Sequence, residues 1–143
     1  MGYNLELRTT QVSGELNIFD SAQVRWVTGG VTIDHTTVPL VDGKRILPAG
    51  TIIGRIADSK KFGPWDADAE DGREVPVYMI AEELDVTDGD KVVTAFDHAR
   101  VIVERLPYEE IPVEVVETLR GITFVKDGIP FEGDVVDEDE GDQ

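Results

Sequence analysis

Arg45-Ile46-Leu47-Pro48-Ala49-Gly50-Thr51-Ile52-Ile53-Gly54-Arg55-Ile56 sets a proline and a glycine directly before a β-branched run. Proline fixes one backbone angle and glycine admits the left-handed one, so Pro48 to Gly50 reads as a turn and the isoleucines after it as a strand. Upstream, Val24-Arg25-Trp26-Val27 and Val31-Thr32-Ile33-Asp34 flank Gly29-Gly30, which predicts two strands joined by a glycine turn. Downstream, residues 57–75 form a long polar stretch, read as a loop pinned by Phe62 and Trp65. Then come Val75 to Ala81, Lys91 to Phe96, Ala99 to Val103 and Ile122 to Val125, each short and bounded by turn residues such as Thr87-Asp88-Gly89-Asp90 and Lys126-Asp127-Gly128. Strands spaced by roughly ten residues predict a mainly β fold, a small barrel or sandwich. Only Tyr108 to Arg120 reads as helix: Ile111, Val115, Val116 and Leu119 share a face, Pro112 suits the first turn, and Gly121 follows as a stop.

The two ends have a different composition. Residues 132–143 hold seven acidic side chains and no basic one, too little apolar content to fold. Near the other end Tyr3, Leu5 and Leu7 alternate with Asn4, Glu6 and Arg8, whereas Thr9 to Glu15 is polar. An extended arm that pairs with another molecule and an edge strand of the chain's own domain both fit that alternation. The division expected is an arm over 1–22, a β-rich domain over 23–131 and an acidic tail over 132–143.

The 143 residues carry 13 basic and 30 acidic side chains, a net charge of -17. Residues 1–131 alone hold 13 bases against 23 acids, so the body is acidic in its own right. Such a surface repels nucleic-acid phosphates and anionic lipid, so neither is an expected partner. The chain has no cysteine, which removes disulfides, thiolate nucleophiles and thiolate metal sites together. No apolar run approaches the roughly 20 residues that span a bilayer, and Met1 to Glu6 lacks a signal-peptide pattern, so the protein is expected to be soluble.

Motifs for chemistry are missing. Asp66-Ala67-Asp68-Ala69-Glu70-Asp71-Gly72 has the alternating acids of a calcium loop, but Asp71 and Val77 stand where an EF-hand needs glycine and a bidentate carboxylate. His35 and His98 each follow an aspartate, yet neighbours on a strand point to opposite faces, so neither pair is read as a dyad. Ser13, Ser21 and Ser59 lie in no nucleophile elbow, and Gly50 and Gly54 belong to no phosphate-binding fingerprint. Glycosidase chemistry needs only two carboxylates that meet in space, so that class stays open on sequence alone. Neither a metal nor a cofactor is expected.

The order of elements from Leu47 to Leu106 resembles the lambda-type bacteriophage head decoration family. Its parts here are Leu47-Pro48-Ala49-Gly50-Thr51-Ile52-Ile53-Gly54, then Gly63-Pro64-Trp65-Asp66 and Asp71-Gly72, then Ile80-Ala81-Glu82-Glu83-Leu84-Asp85, then Gly89-Asp90. Residues 1 to about 40, the acidic tail and Asp97-His98-Ala99, where the family would have a glycine-bearing turn, depart from it. The resemblance implies a β-clip-like subunit that forms homotrimers. These would sit at three-fold or quasi-three-fold points outside the expanded head, bind the major capsid protein partly through an N-terminal arm, and hold the shell against packaged DNA. It further implies a non-enzymatic virion protein made in the host cytoplasm. On that basis Tyr3, Leu5, Leu7, Leu16, Ile18 and Phe19 are the expected capsid-contact residues, and Pro48, Trp65 and Pro76 the expected trimer contacts. Two other readings compete: a trimeric β-clip nucleotide hydrolase, for which Arg55, Lys60 and Lys61 are the available phosphate partners, and a carbohydrate-binding module on Trp26 and Trp65.

Overall fold

The structure, a computed structural model, describes residues 18–134. Its elements in chain order are β1 (Arg25–Trp26), β2 (Val31–Ile33), β3 (Ile46–Leu47), β4 (Ile52–Arg55), β5 (Phe62–Pro64), β6 (Tyr78–Ile80), β7 (Leu84–Asp85), β8 (Lys91–Val93), β9 (Ala95–Ile102), α1 (Val113–Thr118), β10 (Ile122–Lys126) and β11 (Ile129–Pro130). Nine strands form one open mixed sheet in the order β11-β10-β9-β6-β4-β5-β2-β8, with β1 also on β9, while β3 and β7 pair apart from it. The fold is mainly β with one short helix, as the turn-and-strand pattern predicts.

The middle of the sheet is buried on both faces. Side chains alternate across a strand, and in register Ile52 of β4 meets Met79 of β6, which meets Phe96 of β9. This row faces one apolar cluster, with Val101, Leu106, Val115 and Phe124 around it. The next residues along, Ile53, Ile80 and Ala95, face a second cluster with Ile33, Leu47 and Val86. All six central residues are at most 1% exposed. Two-sided burial explains why Ile52-Ile53 and Met79-Ile80 read as unbroken apolar pairs rather than as an alternation. Each large aliphatic or aromatic side chain so buried contributes about 1.5–3 kcal/mol.

Several boundaries differ from the sequence reading, each for a local reason. The glycines do make a turn, with Gly30 N–H donating to Val27 O at 3.0 Å, but no hairpin forms. Instead β1 pairs with β9, and β2 with β5 and β8, because Val31 and Ile33 bury in the second cluster. The 57–75 stretch contains β5, which pairs with β4 so that Gly54 faces Gly63. The strands around residue 94 are also divided differently: β8 stops at Val93 and β9 continues unbroken through Asp97-His98 to Ile102. The helix covers only Val113–Thr118, since Tyr108 is drawn away to hydrogen-bond β4 and Ile111 N–H is held by Asp134.

Both ends of the described chain are tied in. Asp134 N–H donates to Ile111 O at 2.7 Å and Pro112 pairs with Asp134 in parallel. At the start, Ile18 is 3% exposed in the first cluster, and Phe19 bridges to Val101 of β9.

Tyr108 links the chain before α1 to the central strand: its hydroxyl accepts the Ile52 N–H at 2.8 Å, and burial pushes its pKa up to about 12. Tyr108→Phe keeps the packing but leaves a backbone donor of β4 unsatisfied, at a cost of about 1–3 kcal/mol. Urea denaturation of the two proteins should show that loss, and equal stability would mean the donor finds another partner.

Candidate functional site

The residues that carry the family resemblance are occupied with the fold. Thr51 is buried, and its hydroxyl donates to Pro48 O at 2.6 Å, closing the turn that starts β4. Gly50 has a φ of +87°, and a Cβ there would lie 2.8 Å from the Leu106 side chain. At Gly54 a Cβ would sit 2.7 Å from the Arg73 backbone. Gly50 needs a residue without a side chain for its backbone angle as well as its close approach, and Gly54 for the close approach alone. Gly54 thus lets the backbone at Arg73 lie on β4, and Gly50 lets Leu106 and Pro107 close over the turn that starts it.

The Gly89-Asp90 turn supplies the most connected polar group. Asp90 Oδ1 accepts from His35 N at 3.0 Å and lies 2.6 Å from His35 Nδ1, while Oδ2 accepts from Lys61 Nζ at 2.6 Å. Three segments, the β2 end, the β4–β5 hairpin and the β7–β8 turn, are tied at one carboxylate. His35 and Lys61 hold that carboxyl well below the usual range, and Asp90 in turn raises Lys61 above its ordinary 10.5. Asp34, His35 and Asp90 each bring one potential ligand atom within 4.8 Å of the others. However, Asp34 accepts from Thr36 N and Oγ1, and both Asp90 oxygens are engaged, so a cation would have to displace Lys61. The site has the chemistry of a structural clasp.

The other candidates divide in the same way. In the acidic run, Asp66 accepts from Asp68 N and Asp71 from Arg73 N and Nε, so these carboxylates build local turns; Arg73 holds Asp71 below its ordinary value. His35 pairs with Asp90 rather than with Asp34. His98, contrary to the alternation argument, does meet its neighbour Asp97, at 2.9 Å, where a register shift occurs between β1 and β9. That contact is exposed and joined by Arg25, with Arg25 Nε 3.5 Å from Asp97 Oδ1. Of the three bases near the β4–β5 turn, Arg55 and Lys60 are exposed and Lys61 is committed to Asp90.

The residues expected at interfaces are placed unequally. Tyr3, Leu5, Leu7 and Leu16 lie outside the described residues. Ile18 and Phe19 belong to the chain's own core: Phe19 meets Phe96 and Trp26 edge-on at 5.0 and 6.0 Å between ring centroids. Both are thus packed within the described body. Pro48, Trp65 and Pro76 gather about β4, since Trp65 N–H donates to Ile52 O and Val77 N–H to Ile53 O. Pro76 is buried, and Trp65, half-buried, donates its indole N–H to Glu74 O at 3.0 Å. Trp26 is 45% exposed within its aromatic cluster. Sequence reasoning missed Leu40, Val41 and Ile46, exposed apolar side chains around the Asp42-Gly43 turn. Apolar residues placed in a turn were the signal available. It missed the Asp90 clasp as well, whose histidine is 55 positions away.

A family model described as Bacteriophage lambda head decoration protein D matches residues 10–110. No curated protein matches the chain. The matched span contains the Pro48–Gly54 turn and strand, both central rows of the sheet and the Asp90 clasp.

The clasp has a definite pH signature. Asp90 titrates below its unfolded value, so its contribution is complete above the ordinary carboxylate range and disappears as pH falls through the native value; that of Lys61 is present below 10.5 and is lost only at higher pH. Asp90→Asn should thus lower Tm most at about pH 6, with the gap to the native sequence closing as pH falls below about 3. A gap that stays constant over that range would remove Asp90 from the stability balance.

Proposed function

Because the chain belongs to the bacteriophage lambda head decoration protein D family, we propose that it is a non-enzymatic decoration protein. It binds the expanded phage head from outside, as a homotrimer at three-fold or quasi-three-fold positions, and stabilises the shell against the pressure of packaged DNA. The family match over residues 10–110 carries this reading, and the family implies association with the phage capsid. The site chemistry agrees with it: the motif residues shape turns and close approaches, and the best-connected polar group ties three segments together.

In this reading the major capsid protein is met by the N-terminal segment. Tyr3, Leu5, Leu7 and Leu16 supply the apolar contact, and Ile18 and Phe19 fix that segment to β9. Main-chain pairing gives such a segment affinity, and three copies on one trimer add avidity without new contacts. Trimer contact falls on Pro48 and Trp65 beside β4, with buried Pro76 shaping the segment behind them. The acidic surface keeps decorated particles apart by charge repulsion.

Light scattering should give three times the 15.8 kDa of one chain, and the trimer should co-sediment with expanded, undecorated shells. Removing residues 1–17, which spares Ile18 and Phe19, should leave a folded trimer that no longer binds shells. A monomer that ignores shells would defeat the whole proposal, and full-affinity binding by the shortened trimer would defeat the role given to the N-terminal segment.

A further inference from the structure

Three exposed apolar side chains meet at one turn. Val41 and Lys44 exchange both backbone hydrogen bonds across Asp42-Gly43, whose φ angles of +53° and +78° make a tight two-residue reversal. A Cβ added at Gly43 would meet nothing within 4 Å, so the tip stands clear of the body as a knob. Leu40 is 57% exposed and Val41 63%, and Ile46 follows in β3. Cations edge this knob. Asp85 faces Ile46 across the β3–β7 pair; Thr87 holds its carboxyl below the ordinary value, and Lys91 and Lys44 lower it further, so both lysines stand close by. Both are exposed, and among the described residues neither forms a direct ion pair.

The surface at Trp65 has the complementary character. Trp65 is half-buried and Val75 is 51% exposed, and between them run five acids against Arg73 alone. Asp66, Asp71 and Glu74 accept hydrogen bonds from nearby backbone N–H groups. Asp68 and Glu70 are exposed and, among the described residues, form no ion pair. Trp65 packs on the first cluster, whereas the knob lies between Val38 and Leu47 of the second, so the two surfaces sit on opposite faces of the sheet. A closed ring of three needs such a pair. A two-fold contact joins a patch to itself, but a ring joins one surface of each copy to a different surface of the next.

Resting on the homotrimer proposed above, we infer that the Leu40–Ile46 knob of one copy seats on Trp65 and Val75 of the next, with Lys44 and Lys91 facing Asp68 and Glu70. In a chain of net charge -17, an apolar surface edged by unpaired lysines finds its complement on the acidic face of another copy. Carbodiimide cross-linking of full-chain trimers assembled from a mixture of unlabelled and isotope-labelled copies tests this. Mixed-label peptides joining Lys44 or Lys91 to Asp68 or Glu70 are expected. K44E/K91E should weaken trimer association about tenfold at low salt, as should D68K/E70K. The four changes together should restore it, which a misfolded variant could not do. A native trimer without such cross-links, whose K44E/K91E variant associates equally well, overturns the seating of the knob and leaves the homotrimer standing. An unchanged K44E/K91E trimer that no longer co-sediments with shells overturns it too, by giving the knob to the capsid protein. A monomeric native chain overturns the homotrimer and the seating together.

Discussion

Everything in this fold leans on the ladder Ile52–Met79–Phe96 and its reverse side, Ile53, Ile80 and Ala95. A sheet buried on both faces cannot slip by one residue without exchanging its two apolar rows, and here each row is cut to a different surrounding: one meets α1 and β10, the other meets β2, β5 and the β3–β7 pair. The strand β9 extends the constraint, because its eight residues serve β6 and β1 with the first half and β10 and Phe19 with the second. The remaining elements are short, and their positions follow from what they cover.

Polar contacts then fix what apolar burial leaves free. Tyr108 holds the irregular chain before α1 to β4, Asp90 ties three loops, and Asp134 closes the body beside Ile111. Each carries a group that would be costly to leave without a partner, so each selects one arrangement of segments that the apolar clusters alone would permit to vary. The Asp90 clasp and the glycines at 50 and 54 lie within the matched family span, where they make close approaches and turns.

The β class, the strand at Ile52-Ile53 and the short helix around Val115 were legible because turn residues and apolar spacing act locally. Strand partners were not: nothing in Arg25-Trp26 shows that these residues join β9 instead of the adjacent Val31–Ile33, since that choice is made by burial in separate clusters. Phe62–Pro64 was hidden for a related reason, as two of its three residues are glycine and proline, which weaken any strand signal. At the candidate site, motif residues were readable in order and their work was not, because the partner of Gly54 is the Arg73 backbone and the partner of His35 is Asp90. Ile18 and Phe19 were read only as apolar contact residues of an arm, for want of any local mark that they also pack against β9.

The attachment of residues 18–20 to β9 also decides how the molecule bears load. Ile102 N–H donates to Ile18 O at 2.7 Å, Asp20 N–H donates to Arg100 O at 2.8 Å, and an Arg100–Asp20 ion pair at 3.2 Å lies alongside. These bonds run across two antiparallel segments, so tension applied along the chain ahead of Ile18 strains them in shear and together, whereas a pull at right angles would open them one after another. The force then passes into the longest strand of the sheet and from it to both apolar clusters at once. The strap is built as a mechanical coupling, strongest against tension along its own length.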